Sequence, residues 1–468
     1  MKIRIENLGV LKQAEFSLGD MTIICGGNNT GKTYATYALF GFLSFWRDEY
    51  LVSVKNDGEL DQLFAEGVVH IDLSKYILDS KKILSEACKK YERKLPLVFA
   101  APKERFTDTK FKIILDEDIH LLEQYEQRIR TASTERLSLT KSEDSNELVV
   151  TLLEYERKNI LIPREIVEQF IGNALKEVLF GNCFPSPYIS SAERTGAAIF
   201  RKELNFKRNR LLEEMSRADK KINPMEILFK VYNDYPLPVK NNVNFMRDLG
   251  TISKNSSALE DERPDLLSDF ADIIGGKYTV TQNDELYFIP KGKRVKLSVD
   301  ESSSSIRSLL DIGFYLRHVA KRGDLLMVDE PELNLHPENQ RRITWLFARL
   351  VNFGIKVFLT THSDYIIKEL NTLIMLNQDK PHLKQIIQKE DYNPEALISS
   401  DKIKVYIAEK ALIKLAGNKR RTPCQTLVPA DIDSELGIEA RSFDETIEKM
   451  NSIQEEIIWS DGGNCNDE

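Results

Sequence analysis

The chain has 468 residues, of which 42% are hydrophobic and 29% are charged, the balance of a globular protein with a sizeable core. This composition excludes a disordered or fibrous chain. The formal net charge of -8 argues against a surface that coats nucleic acid throughout, although it leaves room for a local basic patch. Five dispersed cysteines without a CxxC pair predict neither a disulfide framework nor a zinc site, so we expect a cytoplasmic protein.

Residues 1–46 predict strands followed by a helix. Ile3 and Ile5 alternate with charged neighbours, as in a half-buried strand, and the apolar run from Met21 to Cys25 predicts a buried strand. A glycine-rich loop follows, and residues 33–46 then predict a helix. The sequence shows neither the apolar core of a signal peptide nor a stretch long enough to span a bilayer, so we expect no membrane segment.

Residues 47–185 have a different character and predict an insertion of helices and short strands. The polar stretch 133–147 predicts a loop. No long heptad run occurs, so we expect no long coiled coil. The predicted elements are helices over 79–93, 118–130 and 162–181, and strands over 111–115 and 148–155.

The second half of the chain holds a dense block of motifs over residues 301–376. Before this block, the sequence predicts a basic helix over 201–221 and two strands between 277 and 290. After it, residues 404–409 predict a strand, and residues 442–445 fit the capping box that opens a helix.

A phosphate-binding loop is predicted at the end of the first buried strand. Residues 26–33 match G-x-x-x-x-G-K-[ST] without a mismatch, between the strand and the helix that this motif requires. Glycines let the backbone curl until its N–H groups form an anion nest at a helix N-terminus. Lys32 would reach the β- and γ-phosphates of ATP, and Thr33 would bind Mg²⁺. A chance glycine loop before a helix is the alternative. The predicted nucleotide-binding residues are Gly26, Asn28, Asn29, Thr30, Gly31, Lys32 and Thr33.

Two acidic residues end a second apolar strand, which covers residues 324–328. Asp329, at the end of this strand, suits Mg²⁺ binding beside the phosphate-binding loop. Glu330, the next residue, is placed to polarise the attacking water as a general base. The alternative is a strand followed by a solvated acidic turn, which is the weaker interpretation when a phosphate-binding loop is also present.

A third apolar strand, over residues 356–361, ends at His362. Because it resembles the other two strands, we expect His362 to lie at the same sheet edge as the phosphate-binding loop. It would then hydrogen-bond the γ-phosphate or the attacking water. A purely structural histidine is the alternative.

These three motifs, in this order, resemble those of ABC-type ATPases, and most closely the non-transporter branch with SMC-like and OLD-like members. In that branch the acidic strand continues as DEPE followed by LHP, and this chain reads DEPELNLHP from Asp329 to Pro337. The resemblance implies an α/β head, in which helices flank a mixed sheet that carries the P-loop, with a largely helical insertion. It also implies ATP and Mg²⁺ as ligands, with Lys32, Glu330 and His362 as catalytic residues.

The same resemblance implies segments that contact a second subunit. The D-loop would fall on residues 333–336, although His336 equally suits a turn before a proline. Residues 301–307 read ESSSSIR, which departs from the transporter LSGGQ but resembles the serine-rich signature of small OLD-like ATPases. The residues implied to contact ATP of the other subunit, unless the run is an ordinary loop, are Ser303, Ser304 and Ser305. Arg194 either contacts phosphate or the partner subunit, or forms an ordinary salt bridge.

The resemblance divides the chain into four parts. Residues 1–46 and 186–376 are the N-terminal and C-terminal parts of the ATPase head. Residues 47–185 form a compact lid between them, and residues 377–468 form an extension for packing or partner binding.

The function implied is that of compact ATPase subunits of bacterial anti-phage systems of the Septu or PARIS type. Such a chain forms a homodimer or higher oligomer and controls a separate effector, a nuclease or toxin. The alternative is a RecF-like DNA-repair ATPase that binds DNA directly. Basic clusters at 201–210, 291–296 and 419–421 suit nucleic-acid phosphates or are solvated faces. A transporter subunit is disfavoured by the missing LSGGQ, the missing Q-loop glutamine and the large insertion.

Overall fold

The computed structural model describes most of the chain. The described residues are 1–54, 57–116, 119–131, 134–152, 163–201, 235–281, 283, 285–415, 420–439 and 449–457. The predicted basic helix beyond Arg201, the capping box at 442–445 and Lys419 lie outside these residues.

The strands are numbered in chain order. They are β1 (Lys2–Leu8), β2 (Leu11–Ser17), β3 (Met21–Cys25), β4 (Val68–Asp72), β5 (Lys110–Ile114), β6 (Tyr125–Thr131), β7 (Thr134–Lys141), β8 (Glu147–Leu152), β9 (Pro187–Ser190), β10 (Gly276–Val280), β11 (Leu286–Pro290), β12 (Leu297–Ser298), β13 (Leu325–Asp329), β14 (Lys356–Thr361), β15 (Ile403–Ile413), β16 (Thr422–Pro429), β17 (Ile432–Asp433) and β18 (Gly437–Ile438).

The helices are numbered in the same way. They are α1 (Lys32–Asp48), α2 (Asp57–Glu66), α3 (Ser74–Leu78), α4 (Ser80–Glu92), α5 (Leu95–Phe99), α6 (Arg164–Phe180), α7 (Arg194–Ile199), α8 (Leu237–Arg247), α9 (Leu249–Ile252), α10 (Ala258–Glu262), α11 (Pro264–Ile274), α12 (Ser304–Ser308), α13 (Leu310–His318), α14 (Pro337–Phe353), α15 (Asp364–Leu376) and α16 (Pro381–Lys389). In the part of the chain that the structure describes, no helix combines the length and apolarity needed to cross a bilayer.

The central sheet has the strand order β16-β15-β3-β14-β13-β9. The five strands from β15 to β9 run parallel, and β16 pairs antiparallel with β15. Every residue of β3 and of β13 is buried, as expected for a parallel sheet covered on both faces. The predicted α/β fold, with a mixed sheet flanked by helices, is confirmed.

Two hydrophobic cores lie on opposite faces of this sheet. Ile24 and Phe358 belong to the core that also contains α1, while Ile23 and Leu359 belong to the core beneath α14 and α15. Successive residues of one strand therefore serve different cores, which follows from the two-residue period of a strand.

Among the described residues, four smaller antiparallel sheets accompany the central one, and two of them bear on the insertion and its junction with the head. In the first, β1 pairs with β2 and with β5. The hydroxyl of Thr426 on β16 donates to the carbonyl of Gln13 on β2 at 2.6 Å and links this sheet to the central one. The second has the order β4-β8-β7-β6 and belongs to the insertion.

Two elements of the insertion differ from the predictions. The stretch 118–130, predicted as a helix, contains β6, and the predicted loop 133–147 contains β7. The two strands pair as a hairpin, in which Leu137 and Leu139 are fully buried. Polar residues alternate with these leucines because one face of an antiparallel sheet meets water. The insertion therefore combines its helices with a four-stranded sheet.

The segment beyond residue 376 contributes to the central sheet. The predicted strand 404–409 lies within β15, whose residues Ile403 to Ile407 pair in parallel with β3. The boundaries predicted for the four parts remain predictions, but the sheet of the head includes a strand from the last of them.

Candidate nucleotide site

Three neighbouring strands of the central sheet bring the predicted site residues to one edge. The P-loop follows β3, His362 follows β14, and Glu330 follows β13. These strands are parallel neighbours, so their carboxyl ends meet at the same edge.

The P-loop has the backbone conformations that its sequence predicts. Gly26, Asn29 and Gly31 have φ values of 135°, 59° and 102°, which glycine and asparagine tolerate best. A Cβ atom on Gly26 would lie 2.7 Å from the carbonyl oxygen of Ala408 in β15. The P-loop therefore lies directly against β15. Asn28 and Asn29 are exposed and Thr30 is half-buried.

The Lys32 ammonium lies inside the P-loop and binds its backbone. It donates to the carbonyl oxygens of Gly26 at 3.0 Å and Gly27 at 2.8 Å. Burial lowers the pKa of this group, and the charges of Glu330 and Asp329 oppose that effect. The side chain is 6% exposed, so its charge acts in a medium where electrostatic interactions are strong.

An open cavity of about 1030 Å³ begins at the start of α1. Its lining includes Thr33, Tyr34 and Tyr37 of α1, Lys12 of β2 and Arg105. The cavity joins the N-terminus of α1 to aromatic and basic side chains, which suits the base and sugar of a nucleotide.

Asp329 is held at the end of β13 and is 2% exposed. Its carboxylate accepts a hydrogen bond from the Thr360 hydroxyl of β14. Burial raises the pKa of Asp329 to about 6, and this hydrogen bond acts against the rise. A carboxylate with remaining lone pairs fits a bound Mg²⁺ ion, as does the exposed hydroxyl of Thr33.

Glu330 turns out of the strand in the left-handed region, with φ of 52°. Its N–H donates to the carbonyl of Thr360 at 3.1 Å, which fixes the turn against β14. Left-handed backbone is uncommon for a residue other than glycine and is found at functional sites. The conformation aims the Glu330 side chain at His362 rather than along the strand.

His362 meets Glu330 at the sheet edge. Its Nε2 atom lies 3.3 Å from Oε1 of Glu330. Burial lowers the pKa of the imidazole, as does the nearby charge of Lys32. A histidine with a lowered pKa stays neutral at pH 7 and can donate one hydrogen bond while accepting another.

Glu332, to which the sequence analysis assigned no role, is also part of this edge. One carboxylate oxygen accepts from the backbone N–H of His362 at 2.6 Å, and the other accepts from the hydroxyl of Thr361 at 3.0 Å. Burial raises the pKa of this carboxyl group. Its position as the second glutamate of the DEPE motif is the one sequence feature that could have indicated a role for Glu332.

Arg194 forms neither the exposed contact to phosphate or a partner subunit nor the ordinary salt bridge that its sequence suggested. It is fully buried, so it leaves no exposed surface for a partner subunit, and its guanidinium donates to backbone carbonyls. The acceptors are those of Asp329 at 2.6 Å, Glu330 at 2.7 Å and Ser308 at 2.7 Å, together with Ser191 at 3.0 Å. Arg194 therefore ties the acidic turn to the helix of the signature segment.

The signature serines lie near the surface. Ser303 is the N-cap residue of α12 and, with Ser304, is exposed. The hydroxyls of Ser303 and Ser305 lie 2.8 Å apart and hydrogen-bond to each other. The exposed position leaves these hydroxyls available to another molecule, and their contact with nucleotide remains a prediction.

His336 of the predicted D-loop caps α14. Its Nδ1 atom accepts from the N–H of Glu338 at 3.3 Å, and the ring is exposed. The turn-residue reading of His336 is therefore observed, and a dimer contact through the exposed ring stays a prediction.

Another site residue without a predicted role is Glu193, which follows β9. It accepts a hydrogen bond from the Tyr37 hydroxyl at 3.2 Å, and its charge contributes to the raised pKa of Asp329. Only the three-dimensional pairing of β9 with β13 reveals this proximity.

The chain matches the family model of the AAA ATPase domain (AAA_15) over residues 1–367. This match covers well over half of the 468 residues, and the chain belongs to this family. No curated protein matches the chain.

Among solved structures, the chain is similar to SMC head domains. An SMC head bound to the C-terminal winged-helix domain of ScpA shares 11% identity, with 92% of this chain and 97% of that one covered and a TM-score of 0.34. The SMC head domain of Thermotoga maritima shares 10% identity, with 92% and 98% covered and a TM-score of 0.30. An SMC head with an extended coiled coil, bound to a ScpA domain from Pyrococcus furiosus, shares 12%, with 97% and 98% covered and a TM-score of 0.32.

Proposed function

We propose that this chain is an ABC-type ATPase of the cytoplasm that hydrolyses ATP to ADP and phosphate with the help of Mg²⁺. The observation that supports this most is the meeting of the Lys32, Glu330 and His362 side chains at one sheet edge. Nε2 of His362 lies 3.3 Å from Oε1 of Glu330, and the charge of Glu330 opposes the lowering of the Lys32 pKa by burial.

Each residue has a separate task in this proposal. Lys32 and the loop amides hold the β- and γ-phosphates, and Glu330 accepts the proton of the attacking water. His362, neutral at pH 7, carries one N–H, which it donates either to Glu330, orienting it, or to the phosphate or the attacking water. Asp329 and Thr33 would hold Mg²⁺, which when bound neutralises charge on the phosphate oxygens.

A second copy of the chain completes the site in this proposal. Ser303 and Ser304 are exposed at the start of α12. This position agrees with the role that the sequence resemblance implies, in which the serine-rich segment of one subunit contacts the nucleotide bound by the other. The chain is therefore expected to form a homodimer or higher oligomer when ATP is bound.

The hydrolytic part is tested with Glu330→Gln. This variant keeps shape but loses the base, so we expect ATP turnover to fall by about 100-fold or more while ATP binding persists. The variant should also accumulate as an ATP-bound dimer in size-exclusion chromatography. Glu338→Gln is the matched control, since that exposed carboxylate pairs with Arg341 and Arg342 on the surface of α14. Equal turnover by Glu330→Gln and the unchanged protein would contradict the assignment.

We further propose that ATP turnover serves an anti-phage defence system. In this role the chain is a sensor or regulatory subunit that controls a separately encoded effector, a nuclease or toxin. The support is the resemblance of the DEPE-LHP and serine-rich segments to compact defence ATPases, a fold-level analogy rather than a feature of the site.

The partner is tested by pull-down from the native host with Glu330→Gln as bait. A nuclease or toxin-like protein recovered in a defined ratio supports the defence role. A strain that carries this chain and its genomic neighbours should also resist phage, and no change in phage sensitivity would count against the role.

A second candidate is a RecF-like repair ATPase that binds DNA directly. Lys293, Arg294 and Lys296 favour it, because they are exposed on the loop between β11 and β12, just before the signature segment. Such a loop suits phosphate contacts. Recovery of DNA without a protein partner, together with strong stimulation of hydrolysis by DNA, would put this candidate first.

A further inference from the structure

Glu332 connects the acidic turn to the loop that carries His362. It lies two residues after Glu330, and its two carboxylate oxygens bind separate groups of that loop. Oε1 accepts from the backbone N–H of His362 at 2.6 Å, and Oε2 accepts from the hydroxyl of Thr361 at 3.0 Å. A hydrogen bond from a backbone N–H to a carboxylate is stronger than one to a neutral group.

Gln340 also links the segment after Glu330 to the loop that carries His362. Gln340 of α14 donates to the carbonyl of Leu335 at 2.9 Å and accepts from the hydroxyl of Ser363 at 2.5 Å. The segment 332–335 is thus attached to the loop 361–363 at both of its ends.

We propose that Glu332 is a positioning residue, which holds the backbone of His362 so that its imidazole stays against Glu330. His362 lies between the end of β14 and the start of α15, outside both elements. Its backbone N–H is bound by Glu332 instead of by a strand or helix neighbour. The 3.3 Å separation between the His362 and Glu330 side chains depends on this attachment. The inference rests on the proposed roles of His362 and Glu330 in ATP hydrolysis.

The attachment predicts an effect on kcat rather than on KM. Glu332 forms its hydrogen bonds with Thr361 and His362, and its charge acts on Lys32 less than those of Glu330 and Asp329 do. ATP binding should therefore change by less than about twofold when Glu332 is replaced. A displacement of His362 by about 1 Å should lower kcat by about 10- to 100-fold. Glu332→Gln keeps a carbonyl acceptor for the His362 N–H and should retain kcat to within about threefold, whereas Glu332→Ala should not.

The test is a double-mutant cycle with His362→Ala, measured by steady-state ATP hydrolysis. If Glu332 acts through His362, Glu332→Ala should cause no further loss of kcat once His362 is replaced. An equal loss in both backgrounds would overturn the proposal. If Glu332→Ala fails to fold, Glu332→Asp takes its place in the cycle. Aspartate keeps the charge but cannot reach both donors, so this variant should show the loss of kcat expected of Glu332→Ala.

Amide hydrogen exchange of the peptide 359–366 provides a readout that does not depend on hydrolysis. Glu332→Ala should speed exchange of the His362 amide by about tenfold, and unchanged exchange would overturn the proposal. This measurement decides the matter even if the unchanged protein hydrolyses no ATP, an outcome that would refute the proposed function instead. Glu369→Gln is the control: it alters another buried carboxylate, which accepts from Trp345 at 2.5 Å and pairs with Arg341 at 2.6 Å but binds no group of the loop 361–363, and it should leave both readouts unchanged.

Discussion

Gly26 shows how tightly a single backbone position of the P-loop is constrained. Its φ of 135° disfavours any residue with a side chain, and a Cβ atom would meet backbone atoms of Ala408. The neighbouring Gly27 has no such constraint, since a Cβ atom there would first meet the Thr30 methyl group at 3.7 Å. Two adjacent glycines of one motif therefore have different physical requirements.

Replacement of Gly26 by alanine is expected to weaken ATP binding by about tenfold or more. The strain of the positive φ and the displacement of β15 should together cost about 1–3 kcal/mol. Isothermal titration calorimetry with ATP and Mg²⁺ measures the effect. Gly27→Ala is the matched control and should bind within about twofold of the unchanged protein. Unaltered affinity in Gly26→Ala would show that the loop does not need its observed conformation.

The sequence predicted those site residues whose chemistry is encoded by local spacing. Asp329, Glu330 and His362 lie at the ends of apolar strands, and Lys32 ends the loop that follows a third. Parallel pairing of these strands brings all four residues to one edge. Contacts between distant segments left no such pattern. The burial of Arg194 under the acidic turn is one of these, because a guanidinium that binds carbonyls has no characteristic spacing in sequence.

At the scale of elements, a buried lysine joins the insertion to the P-loop helix. The Lys176 ammonium on α6 donates to the carbonyls of Trp46 at 2.9 Å, Arg47 at 2.9 Å and Tyr50 at 3.0 Å. These carbonyls lie at and just beyond the C-terminus of α1, where helices leave acceptors unpaired and favour a positive charge. The P-loop helix is therefore capped by a residue about 130 positions later in the chain.

Lys176→Met is expected to lower the free energy of unfolding by about 3 kcal/mol. Methionine fills a similar volume but leaves three carbonyls without their donor, each costing about 1 kcal/mol. Urea unfolding followed by tryptophan fluorescence measures the change. Lys384→Met, which removes an ammonium that is 68% exposed, serves as control and should change stability by less than about 0.5 kcal/mol. Similar stability of both variants would show that Lys176 does not stabilise this junction.

The sequence predicted elements well where periodicity was strong and poorly where polar residues dominated. Residues 162–181 form α6 nearly as predicted, since apolar residues recur there at helical spacing. The hairpin of β6 and β7 was missed because one face of each strand is polar, and charged strands resemble helices or loops in sequence. Their identity depends on the pairing of β6 with β7 and of β7 with β8, which no local pattern records.

At the scale of the whole molecule, the head is completed by the far end of the chain. β3, which leads into the P-loop, lies between β14 and β15 in the sheet. Ile403, Val405 and Ile407 of β15 contribute to the core beneath α14. Parallel strands can pair across any separation in sequence, so the motif pattern alone did not predict that residues after 376 would belong to this sheet.

This arrangement predicts different outcomes for two truncations. A chain that ends at residue 376 keeps every predicted motif but loses β15, so one edge of β3 would expose unpaired N–H and C=O groups and apolar side chains. We expect it to aggregate or to lose ATP binding by about 100-fold or more. A chain that ends at residue 439 keeps β15 and β16 and should bind ATP within about threefold of the full chain. The measurement is nucleotide binding on the monodisperse fraction from size-exclusion chromatography. If the 376-residue chain were soluble and bound ATP as tightly as the 439-residue chain, β15 would be dispensable for the site, and the contact between Ala408 and Gly26 would not shape the P-loop.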